Sequence, residues 1–121
     1  MMTTMEIGKK LIELCTSGQF FEAIDMLYAD DVVSVEAAET PLFAREIRGI
    51  EAVRDKNRRW SDMNEIHEVR GEGPWPHQDR FAVRWFFDTT PQGGQRMSFD
   101  EIAVYTTRDG KIVREEFFYA T

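Results

Sequence analysis

Glu36, Glu101, Glu115, His67 and Tyr119 are the side chains whose types and placement suit proton transfer. Glu36 closes the apolar run of "YADDVVSVE", just after Val32, Val33 and Val35. Glu101 and Glu115 lie in two segments with strand-like alternation, "SFDEIAVYTT" and "KIVREEFFYA", and Tyr119 stands near the end of the second. His67 alternates with Val69 in "EIHEVRG". A carboxyl withdrawn from water keeps its proton to higher pH, and a second acid nearby raises it further. A glutamic acid so placed carries protons near neutrality, and a histidine beside it can shuttle them. The ordinary alternatives are an exposed strand end for Glu36, solvated or ion-paired acids at 101 and 115, and a rim histidine at 67, because most carboxylates face water.

Composition removes several competing chemistries. The chain has 121 residues and a formal charge of −7, so one domain is expected, and nucleic acid and anionic membrane surfaces are disfavoured as partners. Arg54, Lys56, Arg58 and Arg59 form one basic cluster, read as a solvated helix face pairing with Glu51 and Asp55. The single cysteine, Cys15, excludes an internal disulfide and suits a small core hydrophobe. No zinc-ligand spacing, nucleophile motif or phosphate loop is present, so no metal or cofactor is expected. "MMTTMEIGKK" lacks the apolar stretch of a signal peptide and no long apolar run exists, so a soluble, cytoplasmic protein is expected.

The elements that must position these residues follow from periodicity. Thr3 and Glu6 have capping-box spacing, and Ile7, Leu11, Leu14 and Cys15 then keep helical period. After Ser17-Gly18, a second short helix carries Phe20, Ala23, Ile24 and Leu27 and stops at Asp30-Asp31. A strand follows over 32–36, and "AAETPLFAREIRG" reads as loop. A third helix is expected over 50–63, with Ile50, Val53, Asn57 and Trp60 on one face. Beyond Asn64 the pattern is all strand, with Phe81, Val83, Trp85 and Phe87 alternating onto one side. Helices set against an antiparallel meander give an α+β fold.

The turn at "TRDGKI" decides which acids share a face, because side chains alternate with period two. A two-residue loop, Asp109-Gly110, would set Val104 opposite Glu115 and Glu101 opposite Phe118. A three-residue loop, Arg108-Asp109-Gly110, sets Ala103 opposite Glu115, Glu101 opposite Phe117 and Phe99 opposite Tyr119. The second is favoured, since it needs positive φ only at Gly110. The inner face is then Phe99, Glu101, Ala103, Tyr105, Val113, Glu115, Phe117 and Tyr119. The outer face, with Ile102, Asp100, Glu116 and Phe118, suits a partly polar subunit contact, with Arg84 available to Asp100 or Glu116.

The helix pair, "YADDVVSVE", the third helix and four strands ending in "DGKIVREEFFYA" resemble the nuclear transport factor 2-like superfamily, and within it the SnoaL-like relatives of polyketide cyclases. The resemblance spans nearly the whole chain. It implies a cone-shaped curved sheet whose helices close a pocket and whose outer face often forms a homodimer. The superfamily holds enzymes, binders and dimerisation modules, so fold alone does not choose among them. Set beside ketosteroid isomerases, Glu36 falls at their catalytic carboxylate, Phe99 at their proton-donating acid, and their donor tyrosine has no counterpart. Steroid isomerase chemistry is therefore not implied. The acid of SnoaL-like cyclases matches Glu101, and a related dehydratase uses strand histidines, which points to His67. Two functions are expected. One is a cofactor-free acid–base enzyme (isomerase, cyclase, dehydratase or hydrolase) on a small apolar substrate, using Glu36, Glu101 and His67. Its ligand would touch Trp60, Val83, Trp85, Phe99, Glu115, Phe117 and Tyr119. The other is a pocketed module without turnover.

Overall fold

Thr3 opens helix α1, Thr4–Thr16, by reciprocal capping: its hydroxyl accepts from the Glu6 amide while Glu6 accepts from the Thr3 amide. The computed structural model describes residues 1–121. Ile7, Leu11 and Leu14 recur at helical spacing and are buried against the sheet. Each such side chain contributes about 1.5–3 kcal/mol by leaving water. Gly8 permits a close approach, since a Cβ there would lie 2.7 Å from the Pro74 ring.

Helix α2 is Phe20–Leu27, and α3 is Ile50–Met63, as the periodicity predicts. Between them come β1, Tyr28–Val35, and β2, Glu46–Arg48. Two expectations are corrected here. α2 yields to strand at Tyr28, before Asp30-Asp31, because Tyr28 pairs with Ile112 of a later strand; a tertiary partner overrides the helical pattern. The segment read wholly as loop contains β2, which pairs antiparallel with β1 through Ser34 and Ile47.

Four long strands complete the sheet: β3, Asn64–His77; β4, Arg80–Pro91; β5, Met97–Arg108; and β6, Lys111–Phe118. The spatial order is β2-β1-β6-β5-β4-β3, antiparallel except for the parallel β1–β6 pair. Register shifts interrupt β1–β6, β3–β4 and β5–β6. Such bulges bend strands and raise their twist, giving the open curved sheet of the cone fold. Three helices, one mixed sheet and a concave interior make the α+β architecture expected from the sequence.

The closing hairpin turns Glu101 and Glu115 to the expected face by an unexpected route. Arg108 pairs with Lys111, so the loop has two residues, and both have positive φ: 52° at Asp109 and 77° at Gly110. Asp tolerates the left-handed region better than most residues. The three-residue loop is thus not the one formed. A bulge at Val113 then restores the parity. Thr107 pairs with Ile112, but Thr106 pairs with Arg114 and Tyr105 with Glu115. Tyr105, not Ala103, lies opposite Glu115, and Ala103, not Glu101, lies opposite Phe117. This slip of two residues keeps Glu101, Ala103, Tyr105, Glu115 and Phe117 on the expected face, whereas Ile112 takes the inward place expected of Val113. The driving force is visible in the burial: Ile112 and Glu115 are both buried, and residues an odd number apart share a face only across a bulge.

Candidate active site

The cone encloses a cavity of about 650 Å³, a size usual for small-molecule sites. Its walls are mostly apolar. Trp60 of α3 meets Phe87 of β4 edge-on at 5.5 Å between centroids, and Phe87 stacks on Phe99 of β5 at 5.2 Å. Tyr105 meets Phe117 of β6 edge-on at 6.5 Å. Aromatic pairs at these separations are attractive beyond their buried area. Trp85 also lines the cavity and donates its indole N–H to the Tyr105 hydroxyl at 2.8 Å.

A polar chain crosses this apolar wall. The Tyr28 hydroxyl donates to Glu115 Oε1, and Ser34 Oγ donates to Glu115 Oε2 at 2.6 Å. Lys56 Nζ donates to Ser34 Oγ at 2.7 Å and pairs with Glu36 Oε1 at 2.6 Å. Tyr119 completes the chain by donating to Glu36 Oε2 at 2.9 Å. Both carboxylates therefore receive two donors each, the arrangement that makes a buried charge tolerable. The Lys56 ammonium also lies 5.2 Å from the Phe117 ring centroid, within cation–π range.

Glu101 stands apart from that chain. It lies on β5 two residues beyond Phe99, on the same face, and cross-strand from Trp85. No hydrogen bond or ion pair reaches its carboxyl. Desolvation, then the nearby Glu36 and Glu115 charges, push it up to about 8, against a smaller opposing pull from Lys56. Tyr119 is raised to about 12 by burial and by its bond to Glu36. Tyr28 and Tyr105 are held well above the usual phenol range, first by burial and next by Glu115. Of the three cavity glutamates, Glu101 is thus the one without a hydrogen-bond or ion-pair partner, and it stands beside aromatic rings.

Most residues singled out in the sequence meet at this cavity: Glu36, Trp60, Trp85, Phe99, Glu101, Glu115, Phe117 and Tyr119 all line it. Two do not. Val83 is fully buried in the core behind the wall. His67 is exposed and bonds Thr90 Oγ1 at 2.8 Å. The β3–β4 register shifts between Ile66 and Glu68, so the extra residue is His67 itself, and its expected alternation with Val69 breaks. Lys56 needs the opposite correction. Its neighbours form the solvated face expected, with Arg54 bonded to Asp25 and Glu51, and Arg58 and Arg59 to Asp55. Lys56 instead turns inward and is only 8% exposed. A helical signal for it exists, since residue 56 shares a face with Val53 and Trp60. Tyr28 and Ser34 were also outside the sequence-based site; they lie on opposite sides of a β1 register shift, which alternation does not register. Cys15 is half-buried at the cavity, not sealed in the core.

No group of three His, Cys, Asp or Glu side chains is arranged to hold a metal ion, and no helix is long and apolar enough to cross a membrane.

Comparison with known proteins agrees with this geometry. A SnoaL-like domain model matches residues 2–119. A solved structure from Mesorhizobium loti, named as a candidate SnoaL-like polyketide cyclase (carbohydrate phosphatase), is 40% identical; the match covers 98% of this chain and 100% of that one, with a TM-score of 0.90. A Xanthomonas campestris protein of unknown function with a cystatin-like fold is 20% identical over 99% of this chain and 92% of that one, with a TM-score of 0.83. A Catenulispora acidiphila protein of ketosteroid isomerase-like fold, solved in complex with trimethylamine, is 18% identical over 98% and 88%, with a TM-score of 0.78. The last two show the fold alone. No curated protein matches the chain. On the domain match and the 40% identity carried over nearly all of both chains, this protein belongs to the SnoaL-like family.

Proposed function

We propose that the protein is an acid–base enzyme acting on a small, largely apolar molecule, with Glu101 as the group that carries the proton. Isomerisation, cyclisation, dehydration and hydrolysis all fit that chemistry. The observation behind this reading is the contrast among the three acids. Glu36 and Glu115 have their lone pairs taken up by Tyr119, Lys56, Ser34 and Tyr28. Glu101 has none taken up, faces the cavity, and changes protonation near working pH, where a general acid or base is most effective. Glu36 then positions Lys56 and Tyr119 and is not the base. Membership in a family whose solved relatives include candidate cyclases and isomerases is consistent with such chemistry.

A second reading, ligand binding without turnover, is favoured by one observation. His67 is turned away, and the Tyr119 hydroxyl is committed to Glu36, so Glu101 has no free partner of its own. Carboxyl carbon resonances of labelled glutamate, followed against pH, test the first reading. One glutamate titrating near 8 and absent in Glu101→Gln is expected; all glutamates titrating near 4 would rule it out. Hydrogen–deuterium exchange into a panel of cyclic ketones in heavy water, lost in Glu101→Gln, separates turnover from binding.

A homodimer through the outer sheet face belongs to the same reading. Ile102 and Phe118 are 39% and 48% exposed there, beside the Arg84–Asp100 pair at 2.6 Å. Light scattering that gives a monomer mass would exclude it.

A further inference from the structure

We propose that the cavity takes a small organic cation, a tertiary or quaternary ammonium on an apolar body, seated beside the Glu101 carboxylate on the ring faces of Trp60, Phe87 and Phe99. This names the ligand class of the site and rests on Glu101 being the uncommitted acid described above. Three observations carry it.

First, acids outnumber cations in the cavity wall: Glu36, Glu101 and Glu115, with Asp100 held by Arg84, stand against a single ammonium, that of Lys56. A low-dielectric cavity strengthens every such charge, so an anionic guest is repelled and a cationic one balances the site. Second, the protein already holds one ammonium here with the parts that would hold another. Lys56 Nζ sits between a carboxylate, Glu36, and an aromatic face, Phe117. Glu101 and the stacked Phe87–Phe99 pair are the same two kinds of group, without an ion pair or cation–π contact from the chain's own ammonium groups. Third, the cavity is far larger than one ammonium head, and its remaining wall is mostly apolar. Aromatic faces joined to a carboxylate are the recognised way of binding alkylated ammonium groups.

The groups facing Glu101 are Glu36 at the end of β1, Glu115 on β6, Lys56 on α3, Tyr105 on β5 and Tyr119 after β6. A cation drawn to this place favours the ionised form of Glu101, so binding releases a proton and tightens as pH rises towards 8.

Calorimetric titration with two probes of equal shape tests the proposal. One is choline; the other is 3,3-dimethylbutan-1-ol, in which carbon replaces the charged nitrogen. Choline is expected to bind at least about tenfold tighter than the alcohol at pH 9, and about tenfold tighter at pH 9 than at pH 7, because Glu101 goes from mostly protonated to mostly ionised across that interval. Glu101→Gln should abolish the pH dependence and most of the preference. Phe99→Leu should weaken choline while leaving the titration of Glu101 in place. Equal affinity for both probes at pH 9, or no choline binding at millimolar concentration by folded protein, overturns the proposal. The carboxyl titration of the unliganded protein keeps the two ideas apart. If Glu101 titrates near 8 and choline does not bind, the cation proposal fails alone. If Glu101 titrates near 4 and choline binds without pH dependence but is lost in Glu101→Gln, the cation proposal stands and the proton-carrier reading falls.

Discussion

Replacing Glu101 with Gln should stabilise the protein above mildly acidic pH, by an amount the site itself sets. The folded protein releases the Glu101 proton at about 8, against an ordinary value of 4.5. Folded-state proton affinity is therefore the higher of the two. Between those pH values the folded state holds a proton that the unfolded chain has lost, so stability falls as pH rises across that window and is unaffected below it. Each tenfold in proton affinity is worth about 1.4 kcal/mol, which gives a penalty of about 3 kcal/mol at pH 7 and up to about 5 kcal/mol above pH 8. Relaxation around a carboxyl at the cavity wall lowers these figures, so about 2–3 kcal/mol at pH 7 is the working expectation. Gln has the shape of the neutral acid and does not titrate. Urea unfolding of both proteins at pH 4.5, 7 and 9 makes the comparison, because the titrating groups not coupled to Glu101 cancel in the difference. The two stabilities should nearly coincide at pH 4.5. They should separate by about 2–3 kcal/mol at pH 7 in favour of Gln, equivalent to roughly 10 °C in Tm for a chain of this size. Parallel pH profiles, or a Gln variant less stable throughout, would show that Glu101 is solvated or bonded and would remove the basis for its chemical role.

Three further outcomes are expected. Lys56→Met should lower stability by about 3–5 kcal/mol in urea, since it leaves Glu36 and Ser34 with a buried partner removed; a loss under 1 kcal/mol would show the chain of donors to be slack. Cys15, whose thiol burial and the nearby Glu115 charge push up to about 12, should resist iodoacetamide at pH 8 in the folded state and react on unfolding, as mass spectrometry would record. Asp109→Val should cost about 1–2 kcal/mol, because a β-branched residue is strained at φ 52°, whereas Asp109→Gly should be neutral or stabilising in thermal melts.

Some of this protein is legible in its residues alone. The capping pair Thr3 and Glu6, the stripe Ile7–Leu11–Leu14 and the alternation of Phe81, Val83, Trp85 and Phe87 each state a local rule that tertiary contacts then obey. Alternation also sets Glu101 on the face of Phe99, Ala103 and Tyr105, because a period of two needs no knowledge of neighbours. What alternation does not contain is the single inserted residue. A bulge at Val113 turns Glu115 inward after a turn that would have sent it outward, and a bulge at His67 sends that histidine into water. Both depend on what the partner strand offers for burial and hydrogen bonding. β2 is three residues long and exists only because the edge of β1 is there to pair with. Lys56 is the clearest case. Within its own helix it is one more charge in a basic run. It is drawn into the core because Glu36 and Ser34, some twenty residues earlier, present two acceptors at 2.6 and 2.7 Å, and a buried charge is stable only where another part of the fold supplies its partners.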